Sequence, residues 1–363
     1  MSRFELLLRS LMLKRIFYNL THWEKWPFKV IYFPLTFVWA WYMLRSRSFW
    51  FFSSSNPTIT FGGFEGEGKK EMYDQLPPHT FPKTIYITPQ TPVKEALKAV
   101  QAAGFTYPFV VKPDHGMMGL LFRIIEREDQ LRAYHSVCPV QYIVQEFSDY
   151  PVELSIFYYR FPGQPTGTVS GFIMKEYLQV KGDGQTTLKE LILNNPKANG
   201  RMEEMESRHG ENFGIVLKKG EPYFLSYAGN HNRGARFINL HNEIDEPLVR
   251  FCDALSNEEN KFYYGRFDVK CRSVEALKNG KDFIILEFNG AGAEPNHIYD
   301  CGMTLFRAYG EIIKHWKVLF RISRHNHRNG YRYWPTWKGW NYLREAKRQM
   351  RLLKEKDIEL GSL

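Results

Sequence analysis

The fold is most readily inferred from two segments of the chain, FYYGRFDVKC at residues 262–271 and DFIILEFNGAG at residues 282–292. Both are apolar runs that we interpret as strands. Each carries two polar residues two positions apart, which face the same side of a strand. These polar pairs are Arg266 with Asp268, and Glu287 with Asn289.

The sequence between the runs predicts how the strands pair. Residues 279–280 are Asn-Gly, which favours a turn between antiparallel strands. A hairpin that places Asp268 opposite Glu287 also places Arg266 opposite Asn289. The four polar groups then form one cluster.

Such a cluster needs a cation. Directly opposed side chains lie roughly 4.5–5.5 Å apart at Cβ, so two carboxylates there repel each other and raise one pKa unless a cation lies between them. Oxygen ligands from Asp, Glu and Asn suit Mg²⁺, which completes its coordination with water and substrate phosphates. The cluster therefore indicates a metal-nucleotide site. The alternative is a solvated hairpin face with a cross-strand Arg-Asp ion pair.

A glycine-containing loop lies upstream, in FVVKPDHGMMG at residues 109–119. A short apolar run delivers Lys112 and opens into a loop with Gly116 and Gly119. Glycines allow backbone amides to approach phosphate oxygens, and a lysine supplies a point charge. The alternative is a structural glycine turn, because the loop matches neither the Walker nor the Rossmann pattern.

A second upstream segment, residues 142–160, predicts two strands joined by a short link. The first strand ends at Glu146, the link is Phe147 and Ser148, and the second strand begins near Glu153. Such a link can offer backbone groups to a purine edge, with a carboxylate at each end. The alternative is a crossover between two domains.

Taken in order along the chain, these motifs resemble the ATP-grasp superfamily over roughly residues 66–310. The likeness is to its carboxylate-amine ligases, such as D-alanine:D-alanine ligase, glutathione synthetase and the ATP-grasp part of cyanophycin synthetase. VKGDGQTTLKELI at residues 180–192 also resembles a segment of cyanophycin-synthetase-like chains. The resemblance implies an α+β ATP-grasp fold, in which two subdomains with mostly antiparallel sheets close on ATP.

The resemblance also implies roles for the nucleotide-binding residues. Lys112 would contact the α and β phosphates, and the Gly116 loop would fold over them. Glu146, Phe147 and Ser148 would hold the adenine, with Glu153 on the ribose. The family uses an earlier phosphate lysine, which corresponds to Lys70, with Lys69 an equally available neighbour.

The resemblance also implies metal-binding and catalytic roles for the four polar residues of the two strands. Asp268, Glu287 and Asn289 would bind Mg²⁺, or Mn²⁺ in its place, with Glu287 bridging two ions. Arg266 would stabilise the phosphoryl and tetrahedral transition states, where a fixed positive charge meets developing negative charge.

The substrate pocket departs from the family. After Asn289 the chain reads GAGAEPNHIYD, whereas the peptide ligases carry a Ser-Pro-Gly or Ala-Pro-Gly turn for the substrate carboxylate. Glu294, Asn296 and His297 are candidates to line a different pocket, or alternatively cap a helix from about residue 298. Arg233 and Arg236 are further candidates to clamp an anionic substrate, with a plain surface loop as the alternative.

The charge of the chain lies at its ends. The first fifty residues carry +6 and the residues from 318 onward carry +7 against +10 for the whole chain, which leaves about −3 for residues 51–317. The run at residues 30–44 has no formal charge, but it is shorter than the roughly 20 apolar residues that span a bilayer. Tryptophans surround this run, and a second tryptophan group accompanies the basic C-terminal end.

Aromatic, basic termini favour a segment at the headgroup level of an anionic membrane. The alternatives are an aromatic hairpin packed on the body and a solvated basic helix. We expect no nucleic-acid partner, because the core matches no nucleic-acid module. The four cysteines show no ligand spacing, which favours reduced thiols in the cytoplasm.

The sequence therefore predicts four regions. They are an aromatic, basic membrane-surface segment (1–65), the N-terminal ATP-grasp subdomain (66–148), the C-terminal catalytic subdomain (149–318) and a basic, Trp-rich helical tail (319–363). We expect a ligase that joins a small-molecule or lipid-linked carboxylate to an amine, peripheral on the inner face of the membrane. The alternatives are an ATP-grasp kinase that phosphorylates a hydroxyl and a non-catalytic ATP-binding membrane adaptor.

Overall fold

The computed structural model describes residues 23–116, 119–227, 229, 234–256, 259 and 261–361. The strands are β1 (Thr84–Ile87), β2 (Phe109–Pro113), β3 (Arg123–Ile125), β4 (Tyr142–Glu146), β5 (Val152–Tyr159), β6 (Thr168–Glu176), β7 (Gln179–Lys181), β8 (Pro222–Phe224), β9 (Arg236–Asn239), β10 (Tyr264–Cys271) and β11 (Phe283–Asn289). The helices are α1 (Phe28–Tyr32), α2 (Thr36–Ser46), α3 (Lys69–Tyr73), α4 (Val93–Ala102), α5 (Glu128–Val137), α6 (Leu188–Asn194), α7 (Pro196–Asn199), α8 (Met202–His209), α9 (Glu246–Leu255), α10 (Val274–Lys278), α11 (Leu305–Arg328) and α12 (Thr336–Leu360).

Two antiparallel sheets organise the chain. A four-stranded sheet has the order β1-β4-β2-β3, and a five-stranded sheet has the order β11-β10-β5-β6-β9. Strands β7 and β8 form a separate antiparallel pair. Every strand pairing among the described residues is antiparallel, which confirms the predicted α+β class.

The basic tail is part of the first sheet's core. Leu353 and Leu360 of α12 are buried among residues of α4, α5 and the four-stranded sheet. Arg123 of β3 donates to Asp357 of α12 at 2.9 Å, and both side chains are almost fully buried. Packing and this buried ion pair therefore hold one face of α12 against the sheet.

The aromatic residues after α2 enter the core between α11 and α12. Phe51, Phe52 and Phe61 are at most 1% exposed. The buried Asn56 side chain donates to the carbonyls of Gly62 and Tyr264, both at 2.9 Å. Residues 51–64 are thereby joined to β10, although the predicted membrane-surface segment included them. The first 22 residues of that segment lie outside the described residues.

Two element boundaries differ from the sequence prediction. The long helix begins at Leu305, not near residue 298, because residues 296–298 form a separate 3-10 turn and Thr304 caps α11. It continues to Arg328, past residue 318, where the catalytic subdomain was predicted to end. Strands β10 and β11 are joined by the short helix α10, capped by Ser273, and not by a tight turn.

Candidate functional site

The predicted register of strands β10 and β11 is correct. Asp268 of β10 pairs with Glu287 of β11, and Arg266 pairs with Asn289. The register shifts immediately after Asp268, where β10 contains an irregularity. Because the polar pairs share one face, the four side chains line a single cavity, as the period-2 pattern predicts.

Asp268 is buried among cationic and hydroxyl donors. Arg266 donates to both of its carboxylate oxygens at 3.1 Å, and the Lys175 ammonium lies 3.2 Å away. The Ser155 hydroxyl donates to it at 2.7 Å. Burial alone raises the pKa of Asp268, but Arg266 and Lys175 outweigh it and hold that pKa well below its usual range. Asp268 is therefore an anion at neutral pH.

Glu287 lies on the more open side of the site. Its side chain is 38% exposed and lies 3.5 Å from the ammonium of the buried Lys69. Burial and the nearby Lys69 lower the pKa of Lys112 to about 7. Burial and the neighbouring Glu287 raise the pKa of Glu67 to about 7. This part of the site therefore holds two groups that titrate near neutrality.

These groups line a cavity of about 960 Å³, which we call the central cavity. Its volume is at the upper end of the usual range for ligand sites, which runs to about 1,000 Å³. The predicted site residues that line it are Lys112, Gly116, Glu153, Arg266, Asp268, Glu287, Asn289, Glu294 and Asn296.

The donor set fits a magnesium-nucleotide. Carboxylate and amide oxygens from Asp268, Glu287 and Asn289 face the same cavity as the ammonium groups of Lys69 and Lys112. The Asn289 amide nitrogen is buried and has no hydrogen-bond partner, so this side chain is not satisfied by the protein alone. Hard oxygen ligands beside fixed cations suit Mg²⁺ and phosphate.

The structure brings Lys69, and not Lys70, to the cavity. Lys69 is 8% exposed and lines it, whereas the Lys70 ammonium pairs with Asp74 at 2.6 Å on the surface. Both residues open α3, and successive residues of a helix point in different directions. The predicted assignment of Lys70 therefore changes to its neighbour.

The predicted adenine link lies beside the central cavity but does not line it. Lys270 donates to the Ser148 carbonyl at 3.1 Å, and its ammonium lies 5.7 Å from the centre of the Phe147 ring. Glu146, at the end of β4, is exposed. Placement of a purine against this link remains a prediction.

Glu153 is held by protein groups. It is 7% exposed, its carboxylate accepts from the Lys175 ammonium at 3.1 Å, and the Tyr177 hydroxyl also donates to it. Lys175 therefore bridges Glu153 and Asp268, and burial of this cation is offset by two carboxylates. A ribose contact for Glu153 remains a prediction.

The candidate substrate residues separate in the structure. Glu294 lines the central cavity and accepts from the hydroxyls of Tyr32 at 2.6 Å and Tyr299 at 3.2 Å. His297 is buried behind the cavity, next to Glu311 and His315. Arg236 is exposed on the edge strand β9, where it pairs with Glu176 at 3.6 Å, and it does not line the cavity. Arg233 lies outside the described residues.

Sequence reasoning missed Lys175 and Glu67. Lys175 stands near the end of the apolar run GFIMKE in β6, and a lysine in a buried strand signals a buried carboxylate partner. Glu67 lies in GGFEGEGKK at residues 62–70, where only the two lysines were candidates for the site. That stretch runs beside β11 because the amides of Ala291 and Gly292 donate to the carbonyls of Gly62 and Gly63.

This backbone contact leads to a prediction about Gly292. A Cβ there would lie 1.9 Å from the Phe64 carbonyl oxygen, so Gly292→Ala must separate the two segments. We expect it to lower the free energy of unfolding by about 1–3 kcal/mol, as overpacking does. Gly310→Ala is the control, because Gly310 is an exposed position of α11 and no heavy atom lies within 4 Å of its added Cβ. It should stabilise by roughly 0.5–1 kcal/mol. Equal urea midpoints for the two variants would contradict the close contact.

Comparison with known proteins gives a distant structural likeness. No protein-family model matches the sequence, and no curated protein matches it. The chain is similar to the bifunctional glutathione synthetase from Pasteurella multocida, at 14% identity and a TM-score of 0.37, over 68% of this chain and 36% of that one. It is similar to the VanG D-Ala:D-Ser ligase from Enterococcus faecalis, at 12% identity and a TM-score of 0.41, over 70% of this chain and 61% of that one.

A third similar structure contains nucleotide. It is the D-alanine–D-alanine ligase from Bacillus anthracis complexed with ATP, at 13% identity and a TM-score of 0.39, over 72% of this chain and 68% of that one. This chain spans about a third of the synthetase and less than two thirds of the D-Ala:D-Ser ligase. TM-scores this low do not indicate the function of the chain. Its function is inferred from the residues of the central cavity.

Proposed function

We propose that the protein is an ATP- and Mg²⁺-dependent carboxylate-amine ligase. The observation that carries this proposal is the convergence of Asp268, Glu287 and Asn289 with Arg266 and the two lysines in one cavity. A substrate carboxylate would take the γ-phosphoryl group of ATP to give an acyl phosphate. An amine would then displace phosphate and form an amide.

The residues of the site suit the two steps. Bound Mg²⁺ would neutralise the transferring phosphoryl group, and the three oxygen-bearing side chains would hold it. Lys69 and Lys112 would bind phosphate oxygens. Arg266 is fixed by two hydrogen bonds to Asp268, so its charge is preorganised where the oxyanion develops.

One experiment separates this activity from its alternatives. The full chain with Mg-ATP, pooled amino acids and lipid extract should release phosphate and ADP and give an amide product in mass spectra. A phosphorylated product without free phosphate would indicate the kinase. Nucleotide binding without ADP formation would indicate the adaptor.

We also propose that the protein works at a membrane surface. Large apolar side chains recur on one face of the segment around α2, and they are Phe33 (67% exposed), Phe37 (74%), Trp41 (55%) and Leu44 (74%). We call this set the apolar face. Arg45 follows it and lies 5.9 Å from the centre of the Trp41 ring. Apolar residues beside basic ones suit an anionic lipid surface. None of the helices described is long and apolar enough to cross a bilayer.

The central cavity favours an amphiphilic substrate. Arg266 and Asp268 line it together with three large aromatic side chains, Phe28, Trp39 and Trp316. A lipid-linked carboxylate or amine would place its polar group beside the ionic side chains and its chain along the aromatic ones. Mass spectra of products from the lipid extract test this choice.

The lowered pKa of Lys112 predicts a pH dependence. Its charge is present below about pH 7 and is lost as the pH rises through that value. Phosphate binds the charged form, so Mg-ADP affinity should fall above neutrality by up to about tenfold per pH unit. Calorimetry across this window checks the slope. Lys112→Arg, which stays charged, should flatten it, and identical slopes in both proteins would contradict a role for Lys112.

A further inference from the structure

A cluster of metal-ligating side chains lies behind the central cavity. Glu311 and His315 are four residues apart on α11, so they share one face of the helix, and His297 faces them from the 3-10 turn at residues 296–298. One ligand atom from each residue lies within 4.8 Å of the other two. We call these residues the His-Glu-His cluster.

His297 is not satisfied by its protein neighbours. It is 7% exposed, and neither ring nitrogen has a hydrogen-bond partner. Its Nε2 lies 3.9 Å from the Glu311 carboxylate, which is too long for a hydrogen bond. Its Nδ1 lies against Gly171, where an added Cβ would come within 2.1 Å of that nitrogen. A buried imidazole with two unpaired nitrogens is unfavourable unless another group binds it.

Two hydrogen bonds and one ring contact hold the His315 imidazole in a single orientation. Its Nδ1 lies 2.7 Å from the Glu311 carbonyl, to which it donates, and its Nε2 lies 2.9 Å from the Ser170 hydroxyl. The ring packs edge-on against Phe157 at 4.6 Å. The hydrogen bond from Nδ1 to a backbone carbonyl fixes the tautomer, as in many metal-binding histidines. Nε2 then accepts from the Ser170 hydroxyl, which must turn away for Nε2 to bind an ion.

The Glu311 carboxylate lies close to both imidazoles. Its oxygen is 3.9 Å from Nε2 of His297 and 3.9 Å from Nδ1 of His315. Lys314 lies 3.5 Å from Glu311 but is 56% exposed, so it can turn into solvent when a cation arrives.

We propose that His297, Glu311 and His315 form a binding site for a divalent transition metal ion, with Zn²⁺ as the best fit. Two imidazoles and one carboxylate are a zinc ligand set that leaves a fourth position for water. Bonds of about 2.1 Å in a tetrahedral site place ligand atoms roughly 3.4 Å apart, so the cluster must contract. Glu311, whose side chain is 29% exposed, can make that movement and offers the route of entry.

The bound ion would hold in place the part of the central cavity that Asn296 lines. Asn296, next to His297, lines the cavity and donates to Ser155 at 2.8 Å, and Ser155 in turn donates to Asp268. Fixing the 296–298 turn to α11 would therefore fix this chain of hydrogen bonds. The three ligands are positioning residues, and metal binding there does not require the proposed ligase activity.

The test is a cobalt and zinc titration of the full chain after removal of metal with a chelator and cleavage of any affinity tag. We expect one equivalent of Co²⁺ to give visible bands of a tetrahedral site, which Zn²⁺ then displaces. Glu311→Gln and His297→Gln should each weaken binding at least about 100-fold, since loss of a supporting contact alone costs 10–100-fold. His79→Gln, which removes an exposed histidine on another part of the chain, should bind like the parent.

Thermal unfolding gives a second readout. Zn²⁺ should raise the melting temperature of the parent and of His79→Gln, but not that of Glu311→Gln. Glu311 is partly exposed, so its variant keeps the test valid if His297→Gln does not fold. Absence of the cobalt bands, or equal binding by the parent and Glu311→Gln, would overturn the proposal.

Discussion

Asp268→Asn should reduce ATP-dependent turnover by a factor on the order of 10³, the scale on which loss of one preorganised charged group acts in other enzymes. The amide cannot replace the second anionic oxygen, so the proposed magnesium site would lose a ligand and Arg266 loses its bidentate partner. Phosphate release at saturating Mg-ATP measures the effect.

The folded state also depends on Asp268, which sets the controls. Removing its charge leaves Arg266 and Lys175 with one carboxylate fewer, and breaking a buried ion pair costs about 3–5 kcal/mol. Glu287→Gln is the second variant, because Glu287 is more exposed and contacts only Lys69 at 3.5 Å among the described ion pairs. It should lose turnover with little change in melting temperature. Asp282→Asn, at an exposed turn, should retain full turnover.

Retained turnover in both site variants would reject the metal assignment. Loss of turnover in Asp268→Asn alone, together with a much lower melting temperature, would indicate a structural role for this carboxylate. Circular dichroism melts on the same samples distinguish these outcomes.

The strand register was predictable because it depends on local chemistry. Residues two apart in a strand face the same side, so Arg266 and Asp268 share one side of β10, and Glu287 and Asn289 share one side of β11. The structure contains the predicted pairing between them. The same pattern does not indicate which side chain from another strand of the sheet pairs with Asp268. Lys175 of β6 reaches Asp268 across β5, and no signal near Asp268 points to it.

Helix direction and long-range packing explain the other differences. The choice between Lys69 and Lys70 depends on how α3 is rotated against β11, which tertiary contacts decide. His297 was a candidate for the substrate pocket because it follows β11, but the 3-10 turn directs it towards α11. The tail α12 was predicted as a basic, Trp-rich helix at the membrane surface, with a solvated basic helix as the alternative. In the structure, Leu353 and Leu360 complete a core more than two hundred residues away in sequence.

The N-terminal segment packs on the body with one side of α2 and exposes the other side. Trp39 and Tyr42 of α2 pack towards Phe51 and Phe320, as an aromatic hairpin on the body would. The opposite side of the same helix carries the apolar face. Packing and the proposed membrane contact would therefore use different faces of one segment, and the packed face also lines the central cavity through Trp39.

The double substitution Phe37→Asp and Leu44→Asp should abolish binding to anionic vesicles. Both side chains are 74% exposed, so they contribute little to the core of the free protein. Burying a large apolar side chain is worth about 1.5–3 kcal/mol, so the pair should weaken partitioning at least about 100-fold, since about 1.4 kcal/mol is tenfold. Flotation with vesicles of phosphatidylcholine and phosphatidylglycerol measures it.

Leu193→Asp is the matched control, because Leu193 is an exposed leucine on α6 and lies outside the terminal segments. It should float like the parent, and both proteins should keep the same melting temperature. Turnover of a water-soluble substrate should be unchanged in the double variant, whereas turnover of a vesicle-embedded substrate should fall with binding. If the double variant still floats, the apolar face does not contact lipid, and its exposed aromatic residues must be covered by another surface.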